Sequence, residues 1–220
     1  MKRFAVFAVI FLFSLFPFFA VEPSLFFTAG PKLMVNTDDS KKSAPSPVMY
    51  SLGVGGDFTF PNGILLQAHG AFFTNYYLWD GKDAQPAEVE NRTATALSMM
   101  LDLTGGCKFA FGETKNHLLL FTAGAGIFLR HAILSGGVDS NDPNRDTNTT
   151  AGDDVSSING TFFSDLNFFY PEAAISYSYV LSEKWKIGGE ARAYLPLGSL
   201  INDKGIDGMI FSLALKLSYK

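Results

Sequence analysis

The chain has 220 residues, enough for one domain around a single core. Hydrophobic residues make up 47% and charged residues 17%, phenylalanine occurs 22 times, and the formal charge is −4. This composition excludes a disordered chain, and the absence of a basic cluster in the body of the sequence excludes nucleic acid as a partner.

The N-terminus reads as a secretory signal. Lys2 and Arg3 form a positive start, Ala5 to Phe19 is an apolar run interrupted by Ser14 and Pro17, and small Ala20 suits cleavage. The expected division is a signal over 1–20 and one domain over 21–220. A retained membrane helix is the alternative, but the run falls short of the ~20 residues a span needs. Losing Lys2 and Arg3 takes the charge from −4 to about −6. Cys107 is the one cysteine, so no disulfide forms within a chain. Nothing after the signal is apolar for long enough to cross as a helix. An exported chain that enters a bilayer must then do so as a closed barrel, because lipid cannot satisfy open strand edges.

Strands alternate their side chains between two faces, and that alternation recurs along the chain. The first segment, Leu25 to Asn36, puts Leu25, Phe27, Ala29, Pro31, Leu33 and Val35 on one face, with Thr28 and Lys32 on the other. A polar connection, Thr37 to Pro47, follows. The second, Val48 to Phe60, opposes Tyr50, Leu52, Val54 and Phe58 to Ser51, Gly53, Gly55 and Asp57. Pro61-Asn62-Gly63 signals a tight turn. The third, Ile64 to Tyr76, sets Leu66, Ala68, Gly70 and Phe72 against Gln67, His69, Phe73 and Asn75, and a longer connection runs to Arg92. The fourth is the clearest. From Leu97 to Phe111, Leu97, Met99, Leu101, Leu103, Cys107, Phe109 and Phe111 share one face, and Ser98, Asp102, Thr104 and Lys108 the other.

After a short turn at Gly112 to Asn116, the fifth segment, His117 to Ile133, places Leu119, Phe121, Ile127 and Leu129 opposite Thr122, Phe128 and Arg130. The longest polar tract, Ser135 to Gly160, reads as a loop. The sixth segment, about Phe162 to Leu181, is irregular at first, and Pro171, which cannot donate to a ladder, predicts a bulge or break. Ser182-Glu183-Lys184 turns the chain. The seventh, Trp185 to Leu195, sets Ile187, Ala191 and Ala193 against Lys186, Glu190, Arg192 and Tyr194. A loop, about Pro196 to Asp207, precedes the eighth, Gly208 to Lys220, where Phe211, Leu213, Leu215 and Leu217 oppose Ser212, Ala214 and Lys216.

Eight segments with alternating long and short connections predict an all-β, eight-stranded antiparallel up-and-down transmembrane barrel. Short turns would face the periplasm and long loops the outside. Lys32, Asp57, Asp102, Lys108, Arg130, Glu190, Arg192 and Lys216 all share parity with the small residues, and none lies on the Leu/Phe face. A soluble lipocalin-like barrel would turn that oily face inward, where so narrow a lumen would overfill. In a membrane the same face meets lipid, where a Lys or Arg at mid-depth costs about 2–4 kcal/mol. Aromatic girdles are expected from Phe58, Phe60, Phe109, Phe111, Trp185 and Tyr219 at the turn end, and from Tyr50, Phe72, Tyr76, Tyr77 and Trp79 at the loop end.

The hairpin from Ala173 to Tyr194 carries a Tyr-rich strand, a tight turn, Trp185 and an Arg-Ala-Tyr strand. On that pattern the chain resembles the small outer-membrane barrels of the OmpW type, a pattern shared with OmpA-like and opacity-type barrels. Such proteins usually end in an aromatic residue; here Tyr219 is followed by Lys220. The resemblance implies an outer-membrane location, contact with lipid, handling by the barrel-assembly machinery, and passage of small hydrophobic solutes through a gap in the wall. Pro171 and Pro196 are the candidate wall breaks.

The residues themselves leave two functions open. One is a conduit. The other is a closed barrel that displays acidic loops to an external protein partner, with Asp139, Asp142, Asp146, Asp153 and Asp154 in the long tract. The inward ionic set, Lys32, Asp57, His69, Asp102, Lys108, Arg130, Glu190, Arg192 and Lys216, serves either a path or a paired plug. His69 reads as a hydrogen-bonded filler. The acidic tract lacks the closing Glu and central Gly of a calcium loop, so no metal and no cofactor is expected. His131 is the one candidate base, and no nucleophile, zinc or nucleotide motif accompanies it, so no enzymatic activity is expected.

Overall fold

The computed structural model describes residues 22–37, 46–79, 81–89, 92–134 and 151–220. The expected signal segment and Asp139, Asp142 and Asp146 lie outside them. Strands β1 (Glu22–Met34), β2 (Val48–Thr59), β3 (Ile64–Trp79), β5 (Ala94–Phe111), β6 (His117–Leu134), β7 (Phe169–Val180), β8 (Trp185–Tyr194) and β9 (Ile210–Tyr219) form one antiparallel sheet. Its order is β2-β1-β9-β8-β7-β6-β5-β3, and β2 pairs with β3 to close it. A short strand, β4 (Ala84–Ala87), pairs with β3 beyond the point where the β2–β3 ladder ends at Ser51 and Phe73.

The tight connections join β2 to β3, β5 to β6 and β7 to β8, so both ends of the described chain lie at the turn end. Asn62 Oδ1 accepts from the Ile64 amide (3.1 Å) in the first turn, and Ser182 Oγ from the Trp185 amide (3.2 Å) in the last. These caps satisfy backbone donors that the ladder leaves over.

The faces separate by parity. Leu25, Leu52, Leu103, Leu213 and Leu215 are all 60% exposed or more. Their alternating neighbours, among them Lys32, Asp102, Arg192 and Lys216, are buried. Among the described residues no helix is long and apolar enough to cross a membrane. The strands pair around a closed ring and leave no open edge, as a sheet in a bilayer requires. β5 and β6, each 18 residues, give roughly 60 Å of strand at ~3.3 Å per residue, more than an apolar band of ~25 Å needs even when tilted. With β3 they project past the wall at the loop end.

Three expectations are corrected. The second half of the long polar tract is not a loop: Ala151–Phe163 forms helix α1. Asp153 and Asp154 lie in its first turn, where the helix dipole favours negative charge, and Asp154 is buried. Strand β7 consequently starts at Phe169 and not at Phe162. The connection after the third segment holds β4, which pairs Tyr76 with Ala87 and Trp79 with Ala84. A second helix, α2 (Leu197–Ile201), bridges β8 to β9.

The girdle divides similarly. Tyr50, Phe72, Phe58, Phe109, Phe111, Trp185 and Tyr219 face outward and are exposed. Tyr77 and Trp79 do not belong to it. They are buried at the mouth with Ala94, Ala96, Ala132, Ile158 and Phe162, because α1 folds over that end and supplies an apolar partner.

Candidate functional site

The lumen is filled in layers. Its ionic layer centres on Arg192, placed inward by β8 two residues beyond Glu190. Arg192 Nη2 donates to Glu190 Oε1 (2.7 Å) and Gln67 Oε1 (2.6 Å), and Nε also donates to Glu190 Oε1 (3.1 Å). Nη1 reaches Glu172 Oε2 at 2.9 Å and Asp102 Oδ2 at 3.4 Å. One guanidinium thus ties together β3, β5, β7 and β8. Its planar fork suits this, because five donors leave in fixed directions.

Asp102 Oδ2 collects further donors, the Tyr194 hydroxyl (3.0 Å) and His69 Nδ1 (2.8 Å). A carboxylate only accepts, so Nδ1 carries the proton, and His69 Nε2 sits 3.0 Å from Thr28 Oγ1. The ring stacks on Phe26 at 5.6 Å. Gln67 relays the network onward, since its amide Nε2 donates to Asp57 Oδ1 (2.8 Å). Lys216 Nζ lies 3.4 Å from Glu190 Oε2, 3.5 Å from Asp57 Oδ2 and 3.9 Å from the centre of the Phe26 ring. Lys32 differs. It is 2% exposed, makes no ion pair among the described residues, and rests over the rings of Tyr194 (4.9 Å) and Phe73 (5.4 Å).

On the loop side of this layer, Met34, Met49, Phe73, Met100, Phe128, Tyr170, Tyr194 and Ile210 are buried together. On the turn side, Leu65, Leu118 and Leu120 cluster. Above the methionine layer stands Arg130, clamped between the rings of Phe128 (4.4 Å) and Phe162 (4.3 Å). It donates to the Tyr77 hydroxyl (3.1 Å) and to the carbonyls of Phe162 (3.3 Å) and Asn167 (2.6 Å). A cavity of about 650 Å³ opens above it, between β4, α1, α2 and the connection that leads into β9.

Of the inward residues named from sequence, the structure brings Asp57, His69, Asp102, Glu190, Arg192 and Lys216 into one network, with Lys32 beside it. Arg130 stands apart, beyond the methionine layer. Lys108 stands apart at the turn end, partly exposed, with Thr59 Oγ1 at 3.4 Å. Parity gives the face, and it says little about height along a tilted strand.

The wall is unbroken at the prolines. The β6–β7 register runs without interruption from Ile127 and Phe169, through Ala125 and Pro171, to His117 and Tyr179. Pro171's carbonyl accepts from the Leu195 amide (2.8 Å), so the side of the residue that lacks a donor faces the end of β8. Pro196 caps α2 beyond the last β7–β8 pair, Glu172 with Tyr194. No bulge or break forms at either. The pairing lapses instead in the β1–β9 seam, between Ala29 opposite Leu215 and Lys32 opposite Ser212, where Gly30 and Pro31 lie.

No family model and no curated protein matches this sequence. Solved structures do match. The crystal structure of Neisserial surface protein A aligns at 9% identity with a TM-score of 0.52, over 90% of this chain and 96% of that one. The outer membrane protein OprG from Pseudomonas aeruginosa aligns at 9% identity with a TM-score of 0.51, over 91% and 97%.

This is the fold of a small outer-membrane β-barrel. The likeness is one of architecture, and the outward apolar face of the barrel is accordingly the face that meets lipid.

Sequence reasoning missed Gln67, Glu172 and Tyr194 as members of the barrel's lumen network. Each has inward parity, and Gln67 and Tyr194 carry no charge to draw notice. It also missed how the barrel is capped. β6 extends past the start of β7 and leaves a bare edge. The Asn159 side chain of α1 fills it, accepting from the Ala132 amide (2.8 Å) and donating to the Ala132 carbonyl (3.1 Å). A side-chain amide here stands in for a strand partner. Asn159→Ala should therefore raise the exchange rate of the Ala132 amide hydrogen roughly five- to tenfold, as expected for a lost hydrogen bond of about 1 kcal/mol. Exchange measured residue by residue in lipid nanodiscs checks this, with Met100 as an internal reference.

Proposed function

We propose that the protein is a closed-lumen barrel whose work is done at its outer end, where the mouth and loops meet external partners. The observation that supports this reading is the Arg192 network, which occupies the barrel's cross-section with side chains that are almost fully buried. Buried ion pairs sharing one guanidinium hold one arrangement, and opening them exposes unpaired charge at a cost of several kcal/mol. The layers of Met34, Met49 and Met100 above and Leu65, Leu118 and Leu120 below support the same reading. The barrel-assembly machinery would meet the chain at β9, whose outward face carries Phe211 and Tyr219.

The test is electrical. Purified protein reconstituted into planar bilayers should insert without discrete conductance steps at neutral pH. Regular steps from the unmodified protein would overturn the closed reading and favour the conduit. One observation favours that second reading. The layer between plug and mouth is rich in methionine, a flexible side chain that can make way for a small apolar solute.

A further inference from the structure

We infer that the cavity at the outer mouth is a binding site for a small organic carboxylate, with Arg130 as its anion anchor. Arg130 is 8% exposed, and among the described residues it makes no ion pair. Its partners are a phenol oxygen, two backbone carbonyls and the rings of Tyr77, Phe128 and Phe162. A guanidinium has five N–H donors, and only three acceptors meet them here. Nε has none, and Nη1 has a single partner. The contrast with Arg192 is direct: that guanidinium is surrounded by carboxylates, whereas among the described residues this one meets only dipoles and ring faces. A buried charge so compensated gains from an anion that reaches it.

The surroundings define the rest of the ligand. Met34, Tyr77, Phe162 and Tyr170 line the inner cavity, so an apolar or aromatic body fits beside the charged end. A volume of about 650 Å³ is in the range of small-molecule sites. Asp83, Asp203 and Asp207 lie at the rim, and among the described residues none is within ion-pair distance of Arg130. Asp83 pairs with Lys204 at 2.5 Å, and Asp207 accepts from both the amide and the hydroxyl of Thr37. They therefore do not supply Arg130 with a counter-ion. The rings of Phe128 and Phe162 fix the guanidinium plane, so an incoming carboxylate meets an oriented donor and little ordering is lost on binding. This site lies above the plug, and its occupancy does not depend on whether the lumen conducts.

The experiment titrates benzoate, and separately neutral benzamide, into the full protein in zwitterionic nanodiscs, and follows ligand saturation-transfer signals. Benzoate should bind saturably, and benzamide at least tenfold more weakly. Arg130→Gln should weaken benzoate at least tenfold. Ser199→Trp, which keeps the charge and fills the cavity from α2, should weaken it as much. Equal binding of benzamide, undiminished binding to Ser199→Trp, or no saturable binding to the unmodified protein would each overturn the assignment. If Arg130→Gln does not fold, the benzamide and Ser199→Trp arms still decide. Silence or conductance in planar bilayers bears on the plug alone, so the two readings fail separately.

Discussion

Arg192→Leu should lower the free energy of unfolding of the lipid-folded protein by about 3–5 kcal/mol, the range for breaking a buried ion pair from one side. The leucine fills part of the volume but leaves Glu190, Glu172 and Asp102 facing one another without their shared cation. Each is buried, so water does not take the place of the guanidinium without a change in the lumen. Gln67 also loses an acceptor role at 2.6 Å, which loosens its hold on Asp57. Reversible urea titration in phospholipid vesicles, followed by tryptophan fluorescence, gives the number. Adding Glu172→Gln to Arg192→Leu should recover part of the loss, since the carboxylate left without its cation is then neutral, while Glu190 keeps Lys216 as a partner. A loss under about 1 kcal/mol would mean that the lumen charges are hydrated and individually solvated, and the plug would no longer explain a closed barrel.

A larger effect is expected at two glycines on the inner wall. A Cβ added to Gly106 would lie 1.9 Å from the carbonyl oxygen of Phe121, and one added to Gly188 would lie 1.9 Å from that of Tyr177. Both obstacles are backbone atoms of the neighbouring strand, so no side chain can swing aside. These are places where the sheet curves too sharply for a substituted residue. The adjacent glycines provide the control. At Gly105 the nearest atom to a new Cβ is the Leu66 side chain at 3.7 Å, and at Gly189 it is the Ala214 carbonyl at 3.6 Å. Gly106→Ala and Gly188→Ala should fail to give the heat-modifiable, fast-migrating band of a folded barrel on cold gels. Gly105→Ala and Gly189→Ala should give it in normal yield. Equal folding of all four would remove curvature as the reason for those glycines.

The alternation that organises the strands was readable because a lipid-facing barrel enforces it twice, once by excluding charge from one face and once by excluding bulk from the other. Strand limits from Val48 to Phe111 and from Trp185 to Tyr219 follow within a few residues. The mouth was not readable in that way. Helix α1 contains Gly152, Ser156, Ser157, Asn159, Gly160 and Thr161, six weak helix formers among its 13 residues. Its sequence signs are Val155, Ile158 and Phe162, spaced to share a face, and the acidic pair Asp153 and Asp154 at its start. Tertiary packing against Tyr77 and Ala132 decides the matter, and a single sequence does not display that partner. Arg130 was read with the ionic lumen because parity is shared by every layer. Its separation from Arg192 depends on strand stagger, which follows from pairing register rather than from local pattern.

The ring is sewn shut by its first and last strands: Leu25 stands opposite Tyr219 and Leu33 opposite Phe211. Until those opposite ends of the chain meet, every intermediate has two raw margins of unpaired amides and carbonyls, which oil cannot tolerate. Deep immersion and final stitching must therefore coincide, and a half-made cylinder has no resting place in the bilayer. Among the described residues, the gap in the β1–β9 pairing at Gly30 and Pro31 lies in this same suture, which makes it the sparsest stretch of the seam.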